Sequence, residues 1–225
     1  MNVLLFGATG MVGQGVLREC LLDRDVDRVI SIVRHPSGTQ HPKLREILHP
    51  DFHDFSALES DCRNLDACFF CLGVTSAGMT EADYRRITYD VTLAAAGKLA
   101  QWNPGMTFIY VSGTGTDSSE KGRTMWARVK GATENALLRL PFKAAYMFRP
   151  GAIQPLHGIQ SKTRWYRVLY AITRPLLPLL RVAIPDQITT TEQLGRAMLR
   201  VAKEGFSKPV LETRDINAAA SQPVR

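Results

Sequence analysis

The 225-residue sequence lacks the features that mark several classes of protein. No apolar run approaches the roughly 18 residues that a membrane-spanning helix needs. No basic and apolar leader precedes the first strand-like segment. Cysteines number only four, and without a leader they are expected to stay reduced thiols. These absences predict a cytoplasmic protein rather than a secreted, disulfide-linked one.

Acidic residues are outnumbered by basic ones, which gives a formal net charge of +7. The basic residues are scattered along the chain, so we expect no nucleic-acid partner, and the charge suits a small anionic ligand. One segment, 163–182, combines aromatic residues with arginines and leaves contact with a membrane surface open. The sequence does not define the oligomeric state.

A glycine-rich turn, 7–13 (GATGMVG), follows the apolar run 3–6 and opens a helical pattern. This context of strand, glycine turn and helix is typical of a site that holds the pyrophosphate of a dinucleotide. Free N–H groups at a helix start attract phosphate, and the helix dipole favours its negative charge. The residues expected to contact the dinucleotide here are Gly7, Thr9, Gly10, Met11, Val12 and Gly13.

No acidic residue follows the second strand-like run, which ends at Val33. In dinucleotide-binding folds a carboxylate at this point binds the ribose hydroxyls of NAD, whereas an arginine accommodates the 2′-phosphate of NADP. Arg34 occupies the position and could hold that phosphate through two hydrogen bonds. The sequence therefore favours NADP(H) over NAD(H), with a solvated loop cation as the alternative role for Arg34.

Strand-like and helical patterns alternate along most of the chain, which predicts an α/β fold. The fold expected is a Rossmann-type doubly wound parallel sheet in a single NAD(P)-binding domain, 1–216, with a small C-terminal helical substrate cap at about 151–190. Residues 217–225 are expected to form a flexible tail. The predicted strands are 3–6, 29–33, 44–48, 67–72, 106–111 and 143–148, and the predicted helices are 11–22, 81–101, 121–140 and one from 189–192 to before Gly205.

Five segments resemble, in order, those of extended and atypical short-chain dehydrogenases/reductases, the epimerase/dehydratase-like superfamily. The resemblance covers about residues 1–160 and is nearest to the Tat-interacting-protein-like oxidoreductase branch. The segments are 7–13 (GATGMVG), 71–75 (CLGVT), 110–113 (YVSG), 126–130 (WARVK) and 148–151 (FRPG).

This resemblance implies further cofactor contacts. Residues at the end of the third strand and after the fourth would line the adenosine side, Lys130 would bind the nicotinamide ribose, and the backbone at 150–153 would approach the nicotinamide amide. The residues so implied are Asp51, Phe52, Leu72, Gly73, Val74, Lys130, Pro150, Gly151 and Ile153.

The catalytic residues implied by the resemblance are only partly present. Ser112 and Lys130 match the family's serine and lysine, but Trp126 stands where the family has its proton-transferring tyrosine, and Thr88 replaces an asparagine. An indole N–H donates a hydrogen bond but is no acid near neutral pH. Water or His157 is expected to replace the tyrosine as proton donor. Weaker candidates for contact with substrate are Tyr84, Tyr89, Thr114 and Asp117.

We therefore expect an NADP(H)-dependent oxidoreductase that acts on a small apolar carbonyl compound or alcohol. A non-catalytic NADP(H)-binding sensor is the alternative, and an epimerase or isomerase a weaker one. No metal site is expected, because Cys68 and Cys71 would point to opposite faces of a strand. A metal at His49, Asp51 and His53 is disfavoured by Pro50 and by their position on the adenine side.

Overall fold

The computed structural model describes residues 1–159 and 186–221. Its strands are β1 (Asn2–Phe6), β2 (Arg28–Val33), β3 (Leu44–Leu48), β4 (Ala67–Phe70), β5 (Thr107–Val111), β6 (Ala144–Arg149), β7 (Ala152–Gln154), β8 (Ile188–Thr190) and β9 (Val210–Glu212). Its α-helices are α1 (Met11–Leu22), α2 (Glu81–Arg85), α3 (Val91–Trp102), α4 (Met125–Leu137), α5 (Thr191–Glu204) and α6 (Thr213–Ser221).

Seven strands form one sheet in the order β3-β2-β1-β4-β5-β6-β9, and every neighbouring pair is parallel. The chain changes direction across the sheet between β1 and β4. In such sheets ligands bind outside the carboxyl ends of the strands at this switch point. The predicted Rossmann-type α/β fold is confirmed, and the glycine turn after β1 lies at the edge where a ligand is expected.

The sheet is covered on both faces, which explains the continuous apolarity of its strands. One core layer joins α1, α5 and α6 to side chains such as Val3 and Leu5 of β1. The other joins α3, part of α4 and the stretch 52–65 to the alternate side chains, Leu4 and Phe6. All four residues of β4 are buried, as expected for a strand covered on both sides.

The predicted helix 81–101 is interrupted by a π-helical segment, Arg86–Asp90, between α2 and α3. Hydrogen bonds of π type add one residue to a turn, so the residues after the segment are rotated relative to a continuous α-helix. The side-chain directions that a regular helix predicts for Thr88 and Tyr89 therefore do not apply.

The C-terminal part differs most from the sequence prediction. Thr190 is the N-cap of α5, its hydroxyl accepting a hydrogen bond from the N–H of Gln193 at 3.0 Å, which lies within the predicted helix start at 189–192. The expected flexible tail is wrong for residues 217–221, which belong to α6, where Ala219 is buried against the core. Most of the predicted cap at 151–190, including a helix through Trp165, lies outside the described residues.

Within residues 1–159 and 186–221, no helix combines the length and the apolarity needed to cross a bilayer. The segment 163–182, for which membrane contact was left open, also lies outside the described residues.

Candidate functional site at the carboxyl edge of the sheet

The three glycines of the turn after β1 have different surroundings. Gly7 has φ +81°, and a Cβ there would lie 2.7 Å from the carbonyl carbon of Cys71. A Cβ at Gly13 would lie 2.0 Å from the carbonyl oxygen of Gly7. At Gly10 the nearest atom is the Gly7 oxygen at 3.3 Å, and its Cβ position is otherwise open. Gly7 and Gly13 thus permit the local packing, while Gly10 leaves space for a ligand.

The start of α1 is free to bind an anion. Gly10 is the N-cap residue, no side chain accepts a hydrogen bond there, and the first turn contains no acidic residue. The first N–H groups of a helix have no partner within the helix. Those of Met11 and Val12 belong to this turn and stand beside the open position at Gly10. This geometry fits the expected pyrophosphate site.

The ribose end of the expected site contains a cation and an open cavity. Arg34 is exposed directly after β2, whose Ile32 is paired with Phe6 of β1. A cavity of about 600 Å³ lies between α1 and the β2–β3 connection. Arg34 does not line the cavity, and none of the described residues lining it is a carboxylate. Its polar lining residues are Thr9, Gln14, Arg18, Ser37, Thr39 and His41.

On the expected adenine side, the segments 51–52 and 72–74 each contain both exposed and more buried residues. Asp51 is exposed, and its carboxylate accepts the N–H of His53 at 2.9 Å. Phe52 is turned into the core, where its ring packs edge-on against Phe6 at 6.2 Å. Its contact with an adenine would therefore be through backbone. After β4, Leu72 is half-buried, while Gly73 and Val74 are exposed.

Lys130 on α4 reaches the end of β5. Its Nζ donates a hydrogen bond to the backbone carbonyl of Ser112, the residue that follows this strand. Burial lowers the pKa of Lys130 to about 8, although the negative charge of Glu134 acts in the opposite direction. The lysine is thus brought to the carboxyl edge of the sheet with a proton that is exchangeable near neutral pH.

The hydroxyl of Ser112 is directed away from solvent. It donates to the carboxylate of Glu134 at 2.5 Å and lies 3.2 Å from the carbonyl oxygen of Phe148. The residue is only 7% exposed. The structure therefore brings Ser112 and Lys130 together through the Ser112 backbone, while the serine hydroxyl is already bound within the fold.

Glu134 is a residue of the candidate site that the sequence analysis did not predict. It is buried, and its carboxylate binds the guanidinium of Arg149, whose Nε lies 3.0 Å from Glu134 Oε1. Arg149 also donates to the Ser118 hydroxyl at 2.6 Å. The available signal was its spacing, since Glu134 follows Lys130 by one helical turn and so shares its face of α4.

Trp126 and Thr114 border the region above Lys130. The ring edge of Trp126 lies 3.4 Å from where a Cβ of Gly115 would be. Thr114 is exposed, and its hydroxyl donates to the carbonyl of Arg149 at 3.0 Å. Thr114 is thus more exposed than Ser112, but its hydroxyl proton is likewise donated within the fold.

The remaining candidates near the site have structural roles. Tyr84 is 2% exposed, and burial raises its pKa. The ring of Tyr89 is covered by the guanidinium of Arg85, which lies 3.9 Å from the ring centroid. Asp117 accepts hydrogen bonds from Ser119 and from the N–H of Gly122, so its carboxylate stabilises the turn 117–122.

His157 is held apart from Lys130. Its Nε2 lies 2.6 Å from the carboxylate of Glu192 on α5, and its backbone has φ +55°. Helix α5 packs on the α1 face of the sheet, whereas α4 contributes to the other core layer. The structure does not bring His157 together with Ser112 and Lys130, so its geometry does not support the expected role as proton donor.

The backbone expected to approach a nicotinamide amide already has partners. The carbonyl of Pro150 accepts the N–H of Thr114 at 3.0 Å. The N–H of Gly151 donates to the Thr213 hydroxyl at 2.8 Å, and Ile153 pairs with Thr189 between β7 and β8. This contact remains a prediction.

The cysteines considered as metal ligands in the sequence, and one of the two histidines, pack within the fold. Cys68 belongs to one core layer and Cys71 packs against the other, so the two face opposite sides of the sheet as predicted. Among the described residues, no group of three potential ligands could hold a metal ion. The His49 ring packs against Phe55 with centroids 5.3 Å apart.

The chain is similar in sequence to curated fungal proteins named FMP52, while no protein-family model matches it. It is 30% identical over 159 residues to "Protein fmp52, mitochondrial" of Emericella nidulans, a match that covers 68% of this chain and 66% of the relative. "Protein FMP52, mitochondrial" of Eremothecium gossypii is 28% identical, with the same coverage. "Protein fmp52-2, mitochondrial" of Aspergillus oryzae is 27% identical over 221 residues, covering 94% and 93%.

Solved structures with the same fold are short-chain dehydrogenases/reductases and related enzymes. An oxidoreductase of that family from Burkholderia thailandensis has a TM-score of 0.67 at 14% identity, covering 97% of this chain and 92% of that one. The thiolation-reductase di-domain of an archaeal non-ribosomal peptide synthetase has 0.68 at 14%, covering 94% and 70%. The enzyme WbmF of Bordetella bronchiseptica, solved with NAD+, has 0.63 at 14%, covering 96% and 76%.

These relatives correct one expectation, because they are named mitochondrial and the predicted cytoplasmic location is therefore wrong. The thiols on which that expectation partly rested carry no information about the compartment. All four cysteines are free, and burial raises the pKa of each of them. The protein thus shares its fold with solved short-chain dehydrogenases/reductases and is similar in sequence to the FMP52 proteins.

Proposed function

We propose that the protein is an NADP(H)-dependent oxidoreductase of atypical short-chain type, acting on a small apolar carbonyl compound or alcohol. The observation that carries the proposal is the open position at Gly10 in front of the uncapped start of α1. A phosphate can approach the backbone there, and Lys130 lies at the same edge of the sheet. The glycine turn would hold the pyrophosphate, and Lys130 the nicotinamide ribose.

A bound NADPH would supply a hydride to the substrate carbon. The protein's own task is then to orient the substrate oxygen and to provide its proton. Ser112 and Thr114 both follow β5, where that oxygen would be oriented, and either hydroxyl would first have to release its present acceptor, Glu134 for Ser112 and the Arg149 carbonyl for Thr114. Water is the proton donor of this first proposal. The resemblance to the Tat-interacting-protein-like branch remains part of the proposal.

The preference for NADP(H) rests on Arg34 and on the absence of a carboxylate from the described lining of the adjoining cavity. A carboxylate would repel a 2′-phosphate, whereas a guanidinium would bind it. Wild-type protein should bind NADPH at least about tenfold more tightly than NADH, a difference of about 1.4 kcal/mol.

Arg34→Asp should remove that preference, because it replaces the cation by an anion. Titration of both cofactors by fluorescence is the measurement. Arg24→Asp is the matched control, since Arg24 is also exposed but lies after the end of α1, at the opposite edge of the sheet. Equal affinities for NADPH and NADH in the wild type would rule out this assignment.

The activity itself is tested by following NADPH oxidation across a panel of small aldehydes and ketones. Turnover of at least one apolar carbonyl is expected. A protein that binds NADPH tightly and oxidises none of it with the panel would contradict the proposal.

A second function, a non-catalytic NADP(H) sensor, is favoured by one observation. Trp126 replaces the family's tyrosine, and the Ser112 hydroxyl is bound inside the fold. The first feature removes a proton donor and the second occupies a hydroxyl needed for catalysis, while the glycine turn is intact. Binding without turnover, together with a protein partner captured in only one redox state of the cofactor, would support this alternative.

A further inference from the structure

We infer that the protein binds a second small ligand, a carboxylic acid with an apolar chain, in the cavity between α1 and the β2–β3 connection. This cavity of about 600 Å³ is called the α1 groove below. One end adjoins Thr9 of the glycine turn, and the remainder extends away from the path of a dinucleotide. The inference does not rest on the proposed function, because the binding is measured on the protein without cofactor.

The α1 groove exists because the connection between β2 and β3 contains no helix. Parallel strands are usually joined by a crossover of a dozen or more residues that includes an α-helix. Here residues 34–43 join Val33 to Leu44 without one. The flank of α1 that faces this connection is therefore not covered by a neighbouring helix, and Leu22 on that flank is 62% exposed.

The α1 groove runs from one edge of the sheet towards the other. Thr9 and Pro36 line it near the carboxyl edge, where β1 and β2 end. Leu22 ends α1 and His41 shortly precedes β3, so both lie at the opposite, amino edge. The stretch of α1 from Gln14 to Leu22 is about 12 Å long at the rise of an α-helix. A dinucleotide crosses only the carboxyl edge, which leaves most of this length for another ligand.

One wall of the α1 groove is apolar. Leu17, Leu21 and Leu22 line it from α1, and Ile159 lines it from the segment that follows β7. Leu17 and Leu21 are four residues apart, so they lie one above the other on the same face of the helix. An alkyl chain lying along these side chains would remove apolar surface from water on both partners.

The polar side chains of the α1 groove offer hydrogen-bond donors. Arg18 lines it and forms an ion pair with the buried Glu19, and a guanidinium keeps further N–H donors beyond one such pair. His41 also lines it, and its Nδ1 accepts the N–H of Lys43 at 3.1 Å. A neutral ring that accepts at Nδ1 carries its proton on Nε2. Both residues can therefore donate to an oxygen anion, and a guanidinium can bind a carboxylate through two hydrogen bonds.

The charges around the α1 groove favour an anion. None of the described residues that line it is an aspartate or a glutamate, and the sequence 160–185 contains neither. The carboxylate of Glu46 on β3 is held behind the connection by a backbone N–H at 3.1 Å. The carboxylate of Glu19 is paired with both Arg18 and Arg196, so two cations offset its charge. An apolar wall beside cationic donors fits an acid with a hydrocarbon chain.

Octanoate is the probe, and isothermal titration calorimetry on the protein without cofactor measures its binding. Octanoate should bind at a single saturable site. 1-Octanol keeps the chain without the charge, and acetate keeps the charge without the chain. Each should bind at least about tenfold more weakly than octanoate, because it lacks one of the two contacts. Equal affinities for octanoate and 1-octanol, or no saturable binding of octanoate, would overturn the inference.

Arg18→Gln tests the cation. The affinity for octanoate should fall at least about tenfold, while that for 1-octanol changes less than about threefold. Arg24→Gln is the matched control, since Arg24 is exposed beyond the end of α1 and is not among the residues that line the α1 groove. Equal losses of octanoate and 1-octanol in Arg18→Gln would show a structural effect and overturn the assignment.

Leu22→Glu tests the location at a side chain that is already largely exposed, so this variant should fold. A carboxylate at this position should weaken octanoate binding at least about tenfold, through repulsion and through loss of apolar contact. Leu138→Glu is the matched control, the same substitution at an exposed leucine that caps the C-terminal end of α4. Octanoate binding that is unchanged by Leu22→Glu would place the acid elsewhere and contradict the inference.

Saturating NADPH distinguishes the α1 groove from the dinucleotide site. The Kd of octanoate should change less than about threefold, because only the end at Thr9 adjoins the glycine turn. If NADPH displaces octanoate completely, the acid occupies the dinucleotide site, and the inference fails while the proposed function stands. If octanoate binds with the expected dependence on Arg18 and Leu22 but NADPH does not bind, the proposed function fails and the inference stands.

Discussion

Gly10 and Gly13 lie one helical turn apart, but a side chain at each would meet different atoms. At Gly13 a Cβ would be 2.0 Å from the Gly7 carbonyl oxygen, a distance that no real contact allows. At Gly10 the single close atom is 3.3 Å away, and the backbone has φ −81°, which alanine adopts readily. Gly13 is therefore required for the packing of the protein even without a ligand. Gly10 is expected to be required for ligand binding.

Gly10→Ala should fold normally but lose NADPH affinity by at least about tenfold, or about 1.4 kcal/mol, because the methyl group occupies the path of the phosphate. Gly13→Ala should instead lower the stability of the protein without ligand by about 1 to 3 kcal/mol through overpacking. Thermal unfolding of the free proteins and NADPH titration measure the two effects. Normal NADPH binding by Gly10→Ala would remove the assigned role of this glycine.

The directions of individual side chains could not be predicted from the sequence. The motif around Ser112 and Lys130 was visible, and both residues do meet at the end of β5. The inward turn of the Ser112 hydroxyl depends on Glu134 and Arg149, which approach it from α4 and β6. Such contacts join residues that are distant in sequence, so no local sequence pattern predicts them.

At the level of elements, helices α1 and α5 touch backbone to backbone through glycines. A Cβ at Gly15 would lie 2.6 Å from Cβ of Thr191, and one at Gly195 would lie 2.7 Å from Cγ of Glu19. The absence of side chains lets the two helices approach closely. This contact fixes the start of α5, whose residue Glu192 in turn holds His157.

Gly15→Ala should lower the free energy of unfolding by about 1 to 3 kcal/mol, because rigid backbone of Thr191 stands in the way. Gly97→Ala is the control on another helix, α3, where no atom lies within 4 Å of the added Cβ. That control should raise stability by about 0.5 to 1 kcal/mol through helix propensity. Urea unfolding of both variants gives the comparison, and equal effects would refute the close-contact explanation.

The long elements were predictable because their patterns are local. The bounds of β3 and α1 agree with the prediction, and those of β2, β5 and β6 differ by one residue at the ends. Strands β7, β8 and β9 have only three residues each, too few for a periodic signal. Their pairing comes from contacts between distant segments, and such contacts also explain why the sequence predicts a tail where part of helix α6 lies.

For the molecule as a whole, a ligand that binds only the folded state adds to stability by mass action. The glycine turn before α1 and Lys130 on α4 lie at one edge of the sheet, after different strands, so a dinucleotide across this edge would stabilise the entire domain. The solved structures are about 14% identical to this chain, so they share its fold, and their substrates are not transferred to it.

NADPH at a hundredfold excess over its Kd should add about 2.7 kcal/mol and raise Tm by about 5 to 10 °C for a chain of this length. NADH at the same concentration should raise Tm by less, since the proposed site favours the 2′-phosphate. Differential scanning fluorimetry with both cofactors, and with AMP as a fragment control, measures the shifts. An unchanged Tm with either dinucleotide would argue against a nicotinamide site.

The π-helical segment Arg86–Asp90 has a consequence for comparing this chain with its relatives. A π turn is equivalent to one residue inserted into an α-helix. An alignment against a relative with a regular helix here should therefore place a one-residue gap within 86–90, and an ungapped alignment would compare each following helix position with the wrong partner. By the same reasoning, deletion of one residue from this segment is expected to be better tolerated than deletion of one residue within α3.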